Sequence, residues 1–335
     1  MEAWIEELIE NWPLPALLGL GAVCVLLLGW AADWLVKEAV ALSERSGMPK
    51  VVIGATVVSL GTTVPETAVS VVAALQGNPD LALGNAVGSI ICDTGLILGI
   101  ACLIRPLVIP RSIVNRQGWV QLGSGVLLVA WALAAGDALP QSAGFVFLGL
   151  LVVYLFLSAR WSRQQPGQAD LEDFEQDVSK PVAVVLLKLA VAIGLVVAAS
   201  SVLIPTVKLI AERIGIPDAV IAATLVAFGT SLPELVTAVT AARHGHGDLA
   251  IGNIIGADIL NVFFVTGAAA AVTPEGLTVS PHFVYFLFPA MLAVLVIFRI
   301  GVFVSKDTLS RRFGLLLLAV YATVTIASLL LKPPG

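Results

Sequence analysis

Two short runs place carboxylates where a membrane helix must break. The first is Gly61-Thr62-Thr63-Val64-Pro65-Glu66, and the second is Gly229-Thr230-Ser231-Leu232-Pro233-Glu234. Pro65 has no N–H and its ring clashes with the carbonyl four residues back, at Gly61. Gly61 tolerates backbone angles that other residues resist. The helix is therefore expected to break or kink there, freeing carbonyls near Ser59–Thr62. Such a break survives at membrane depth only where it faces protein or a water-filled cavity. Thr62 and Thr63 add hydroxyls, and Glu66 adds a carboxylate one turn on. The same reasoning applies to Ala227, Thr230, Ser231 and Glu234. Neither run has a basic residue at membrane depth, and an intramembrane acid points to function. Carboxylate, hydroxyl and carbonyl oxygens together suit hard cations, and Ca2+ takes roughly 6–8 of them. Soft metals would call for Cys or His, which the runs lack.

The runs belong to a longer repeat. Shifting residues 54–101 by 168 onto residues 222–269 needs no gap and leaves 20 of 48 positions identical. The second half of each copy supplies another wall. Asn85, Ser89 and Asp93 are four residues apart and share one helical face; Asn253, Ala257 and Asn261 share the equivalent face. Gly84 and Gly88 form a Gly-xxx-Gly pair that allows close helix approach and are read as packing residues. Asp258 falls on a different face from Asn261 and is read as a supporting residue at most.

The elements that must position these residues are membrane helices. The 335-residue chain is 58% hydrophobic and 12% charged, with a mean hydropathy of +0.99, whereas soluble domains carry about 25% charged residues. No basic stripe suggests nucleic acid. Cys24, Cys92 and Cys102 show neither metal spacing nor a disulfide framework. The acidic start of the chain, with Glu2, Glu6, Glu7 and Glu10, has the wrong charge for a signal peptide. Ten spans are expected, near 15–40, 51–75, 80–104, 117–135, 140–158, 182–211, 217–242, 248–271, 281–299 and 312–331. Each approaches the roughly 20 residues that cross hydrocarbon. The expected organisation is a first five-helix half over 1–158, a solvated cytoplasmic linker over 159–180 and a second half over 181–335. Of the Lys and Arg residues, 14 fall in loops after odd-numbered spans and three on the other side. The odd loops are therefore expected in the cytoplasm, with both termini outside the inner (plasma) membrane. Span two then runs outward and span seven inward. The fold class expected is an all-α integral membrane protein of about ten transmembrane helices, in two inverted five-helix repeats with broken helices at the midplane.

The paired Gly-Thr-[Thr/Ser]-x-Pro-Glu and Gly-Asn-x-x-Gly motifs resemble the two alpha-repeats of the Ca2+/cation antiporter superfamily, in particular its prokaryotic Na+/Ca2+ exchanger-like members. The resemblance implies a secondary active antiporter, not an enzyme, that exchanges Ca2+ for Na+ and needs no cofactor. It implies a Ca2+ site at Glu66 and Glu234 with backbone oxygens of Thr62 and Thr230. It implies flanking Na+ sites around Ser59, Thr62 and Ser89 on one side, and around Ala227, Thr230 and residue 257 on the other, with a central polar pair at 93 and 261. Three positions depart from the pattern. Asp93 and Asn261 reverse the usual Asn and Asp, Ala257 lacks a hydroxyl expected to ligate Na+, and Thr63 replaces a common Ser. The partners implied are the two ions and the lipid bilayer; no protein partner is evident. An H+-coupled Ca2+ or other divalent-cation exchanger is the alternative, with Glu66, Glu234 and Asp93 carrying protons. A third reading is an intramembrane hydrolase at Ser124, disfavoured because no base lies near it. His244 and His246 are read as a polar turn.

Overall fold

The computed structural model describes residues 2–136, 138–164, 181–215, 229–305 and 307–330. Twelve helices are seen among them: α1 (Glu2–Ile9), α2 (Leu14–Ser46), α3 (Lys50–Thr62), α4 (Val64–Leu75), α5 (Pro79–Ile104), α6 (Arg111–Ala134), α7 (Gln141–Gln164), α8 (Val182–Arg213), α9 (Leu232–Arg243), α10 (Gly247–Ala271), α11 (Phe283–Val304) and α12 (Arg311–Leu330). Eight are long and apolar enough to cross a membrane singly, and α3 with α4 forms a ninth crossing bent by 44°. The first part of the seventh expected span, including Ala227, lies outside the described residues.

The bend falls at the expected place, and its geometry explains why. Thr63 leaves the helical path between α3 and α4, and Pro65 then lies in the first turn of α4. There its missing N–H costs nothing, because the first N–H groups of a helix have no partner within it. Pro233 has the same position in α9, after Ser231. One expectation needs correcting. The Ser59 carbonyl is not free, since it accepts the Thr63 N–H at 2.9 Å. The chain bends at Thr63 without giving up that bond.

The repeat is visible as an exchange of partners. α4 packs on α5 and on the C-terminal half of α10, while α9 packs on α10 and on the C-terminal half of α5. Four two-residue strands obey the same rule. β1 (Leu107–Val108) pairs with β4 (Thr308–Leu309), and β2 (Ala138–Leu139) pairs with β3 (Leu277–Thr278). Adding 170 to residue numbers turns β1 into β3 and β2 into β4, so one ladder becomes the other. The 24-residue α6 runs between β1 and β2, about 36 Å at the helical rise, which puts the two ladders at opposite ends of the bundle. A two-fold axis that swaps opposite ends lies across the helices, and this is what inverted repeats require.

Polar contacts sort the loops the same way. Lys50 Nζ lies 3.4 Å from His246 Nδ1, joining the loops after the first and seventh spans, and Asp33 of α2 pairs with His244 at 2.9 Å. Lys208 pairs with Glu6 at 2.6 Å, and Arg213 donates to the Glu10 carbonyl, joining the chain start to the end of α8. The centre of the bundle is formed by α10 and α5, whose most apolar windows are 83% and 72% buried; the value for α12 is 11%. Close packing at the centre needs glycine. A Cβ on Gly252 would stand 2.2 Å from the Val51 carbonyl, and one on Gly256 would stand 2.3 Å from Ser59 Oγ. This Gly-xxx-Gly pair is the second-repeat counterpart of Gly84 and Gly88, and it lets α10 lie directly on α3.

Candidate functional site

Glu66 and Glu234 each stand in the first turn of a helix that begins at a break, α4 and α9 respectively, and each is 1% exposed. A helix start carries partial positive charge from its unpaired N–H groups, which favours a carboxylate there. The Thr62 and Thr63 hydroxyls face the Glu234 carboxylate across the repeat interface. They do so without closing a well-formed hydrogen bond, and neither Glu234 oxygen has one. Thr62 Oγ1 instead lies 3.3 Å from the Val58 and Ser59 carbonyls.

The first repeat is tied to the second through Asn85. Its amide nitrogen donates to the Glu66 backbone carbonyl and to Ser70 Oγ, both at 3.0 Å. Its amide oxygen accepts from Thr230 Oγ1 at 2.9 Å. Ser59 also crosses the interface: its hydroxyl reaches the Gly54 carbonyl at 2.6 Å and the Asn253 carbonyl at 3.1 Å. Ser89 is buried on α5.

Asp93 and Asn261 occupy matching irregularities. The backbone widens into π-helical turns over Cys92–Ile97 and Asn261–Thr266. Such turns inside α-helices recur at functional sites because they re-aim side chains. Asp93 is 1% exposed, faces the Ser231 hydroxyl, and has Glu234 and Asp258 as its nearest charged neighbours. Neither of its oxygens is hydrogen-bonded, and the same is true of Asn261 Oδ1.

The structure therefore brings Glu66, Thr230 and Asn85 into one knot, and Glu234, Thr62, Thr63, Asp93 and Ser231 into another. Ala227 lies outside the described residues. Two residues that sequence reasoning passed over belong here. Asn85, one of three residues expected on a face, is a bridge between the repeats, from the Glu66 carbonyl to Thr230. Asp258 does not point away: its carboxylate accepts from Thr94 at 2.5 Å and from Gln121 at 2.6 Å, beside Asp93. The available signal was its counterpart, since Ile90 stands at the equivalent position of the first copy. Ser124, by contrast, donates to the Gln121 carbonyl of its own helix at 2.8 Å.

Among the described residues no Lys or Arg pairs with Asp93, Glu234 or Asp258. Buried carboxylates without a counter-charge cost several kcal/mol each, so these acids call for a bound cation or a proton. No group of three His, Cys, Asp or Glu side chains able to hold a metal is found among the described residues. A cation here would therefore draw on hydroxyl, amide and carbonyl oxygens as well as on carboxylates, the donor set of a hard ion.

Known proteins agree with this frame. The sequence pattern of the sodium/calcium exchanger protein family matches residues 16–160 and 184–330. The inner membrane protein YrbG of Escherichia coli is 35% identical over 302 residues, which cover 88% of this chain and 91% of YrbG. The sodium/calcium exchanger MaX1 of Methanosarcina acetivorans is 30% identical, over 90% of this chain and 97% of its own. Among solved structures, the sodium-calcium exchanger NCX_Mj soaked with 10 mM Na+ and zero Ca2+ superposes with a TM-score of 0.79 at 28% identity, covering 96% of this chain and all of that one. With a nearly all-helical membrane fold in two repeats, and buried acids placed to meet cations rather than to do covalent chemistry, the chain belongs to the sodium/calcium exchanger protein family and is a cation antiporter.

Proposed function

We propose that the protein exchanges Ca2+ for Na+ across the membrane by alternating access. The observation that carries this reading is the pair Glu66 and Glu234, buried at two helix starts contributed by opposite repeats. Ca2+ binds between these carboxylates with backbone oxygens of Thr62 and Thr230. Na+ binds in flanking sites, around Ser59, Thr62 and Ser89 on one side and Ala227, Thr230 and residue 257 on the other. Thr63 and Ser231 line the passage, and Asp93 and Asn261 form its centre. Two carboxylates emptied of cations repel, so the vacant site is reluctant to switch until it refills.

The moving parts are α2 and α8, which pack along each other; α8 reaches the end of α3, and α2 packs directly on α9. Ile193 closes over Gly61 and Ile204 over Gly229, so sliding this pair uncovers one break as it covers the other. The halves are 1–158 and 181–335, and residues 159–164 extend α7 of the first half rather than belong to the linker. The Lys and Arg distribution favours an inner-membrane orientation with both termini outside.

The test is Ca2+ uptake into proteoliposomes of purified protein at fixed pH, with an outward Na+ gradient against a matched K+ control. The expected result is uptake with the Na+ gradient alone. Uptake that ignores Na+ and follows a pH gradient selects proton coupling instead. Absence of uptake under both gradients rejects Ca2+ as the cargo.

A further inference from the structure

Asp258 is a buried acid that the Glu66–Glu234 pair leaves unexplained. It is 1% exposed, and three helices converge on it: α10 carries it, α5 brings Thr94 and α6 brings Gln121. Gln121 lies outside both repeat segments. Its amide nitrogen donates to Asp258 Oδ2 at 2.6 Å and reaches Thr94 Oγ1 at 3.3 Å. Two donors thus serve one carboxylate oxygen. The other, Oδ1, has no donor. Gln121 Oε1 has none either, although Gln121 is 1% exposed and its amide is held against Asp258. Both oxygens of neighbouring Asp93 are equally bare.

Buried oxygens that lack donors are costly unless a cation takes them up. The charge count selects the kind of cation. Asp93 is shared with Glu234 and belongs to the central passage. Asp258 is then one negative charge among neutral partners, Thr94 and Gln121, and one monovalent ion balances it. Carboxylate, amide and hydroxyl oxygens are hard donors, which suit an alkali ion of the Na+ class.

We propose that Asp258, Thr94 and Gln121 form an additional monovalent-cation site, separate from the Glu66–Glu234 pair and reaching into α6. Its use in transport rests on the exchange proposed above; its occupancy does not. The site lies beside Asp93, so an ion there lowers the field felt at the central passage and couples the two by charge.

The test is equilibrium binding of radiolabelled Na+ and Ca2+ to purified full-length protein in detergent at fixed neutral pH. Asp258→Asn is expected to remove one Na+ per chain or to raise the Na+ requirement about 10-fold or more, since even residues that only support a metal ligand are worth about 10–100-fold. Ca2+ affinity should stay within about twofold. Gln121→Leu and Thr94→Val should weaken Na+ binding in the same direction, and they carry the test if Asp258→Asn does not yield folded protein. Na+ isotherms that superimpose on the wild type in Asp258→Asn and Gln121→Leu overturn the proposal, including the case in which Asp258 holds a proton. So does an equal loss of Na+ and Ca2+ affinity, which would make Asp258 a support of the main site only. If wild-type proteoliposomes move no Ca2+, the exchange reading falls while the Na+ isotherms still decide this site.

Discussion

Asn85 and Asn253 hold the same place in the two repeats, 168 positions apart, yet their surroundings differ. Asn85 uses both ends of its amide, on the Glu66 carbonyl, Ser70 and Thr230. Asn253 is fully buried, and neither end of its amide has a hydrogen bond. One cause is in the sequence, since Ser70 has Ala238 as its counterpart. The glutamates follow the same division. Glu66 sits on a backbone held by Asn85, whereas Glu234 faces hydroxyls that do not close on it. The duplicated backbone thus carries two different polar shells. At its asparagine the first is satisfied by protein, while the second leaves the Asn253 amide and the Glu234 carboxylate without hydrogen bonds among the described residues. Ions arriving at such a site order the second shell more than the first, and a two-fold fold need not bind its cargo two-fold.

The largest effects should come from the one feature the copies share fully. Glu66→Gln and Glu234→Gln should each cut the Ca2+ uptake rate by about 100-fold or more, since even residues that merely support a metal ligand are worth about 10–100-fold. Both proteins should remain monodisperse in detergent. Substantial uptake by either variant would break the symmetry at its strongest point. Next comes the seam where the second copy lies on the first. Gly256→Ala would push a methyl group to within 2.3 Å of Ser59 Oγ and 2.5 Å of the Ala55 Cα. Overpacking of this kind costs about 1–3 kcal/mol or more. Thermal unfolding should show it against Gly123→Ala, where nothing lies within 4 Å among the described residues.

Much of this was legible in the sequence. The breaks follow from Pro65 and Pro233, the crossing count from apolar runs, and the glutamate pair from the repeat itself. The π-helical turns at Asp93 and Asn261 were not legible, because α5 and α10 are apolar nearly all round and a shift of helical phase leaves no mark in their pattern. The role of Asp258 was hidden for another reason: its partners Thr94 and Gln121 come from distant parts of the chain, which spacing along one helix cannot reveal. The Ser59 carbonyl was misjudged because local rules place a break without saying which bonds survive it. Asn85 could be placed on its face but not assigned its partners, which depend on how two repeats dock.

Smaller effects sharpen the contrast between the asparagines. Asn85→Ala takes a partner from the buried Glu66 carbonyl, from Ser70 Oγ, which keeps its bond to the Ala82 carbonyl, and from the half-buried Thr230 hydroxyl, and orphaning a buried group costs about 1–3 kcal/mol. Asn253→Ala removes an amide that has no partner and should cost at least about 1 kcal/mol less. Chemical denaturation of ion-free protein in detergent measures both. Equal costs would mean that the two shells are equivalent in solution.

The smallest difference lies at the helix starts behind each site. Asn78 caps α5, its side chain accepting the Leu81 N–H at 3.2 Å, and Asn78→Ala should cost about 1 kcal/mol. The counterpart of Asn78 is His246, which makes no such cap on α10. Its imidazole is pushed down to about 4, first by burial and then by the positive charges of Lys50, His244 and Arg105. An unfolded histidine titrates near 6.5. The folded state therefore resists protonating His246, and the stability contributed by the neutral ring is intact above about 6.5 and lost as the pH falls from there towards 4. Half-burial leaves solvent to screen the effect to roughly 0.5 kcal/mol. His246→Gln keeps a polar side chain without a titrating ring and should flatten the loss of stability between neutral pH and pH 4.5. The Asn78→Ala profile should run parallel to the wild type, because that cap does not titrate in this range. Parallel profiles for all three proteins would reduce the difference between the two helix starts to the Asn78 cap alone.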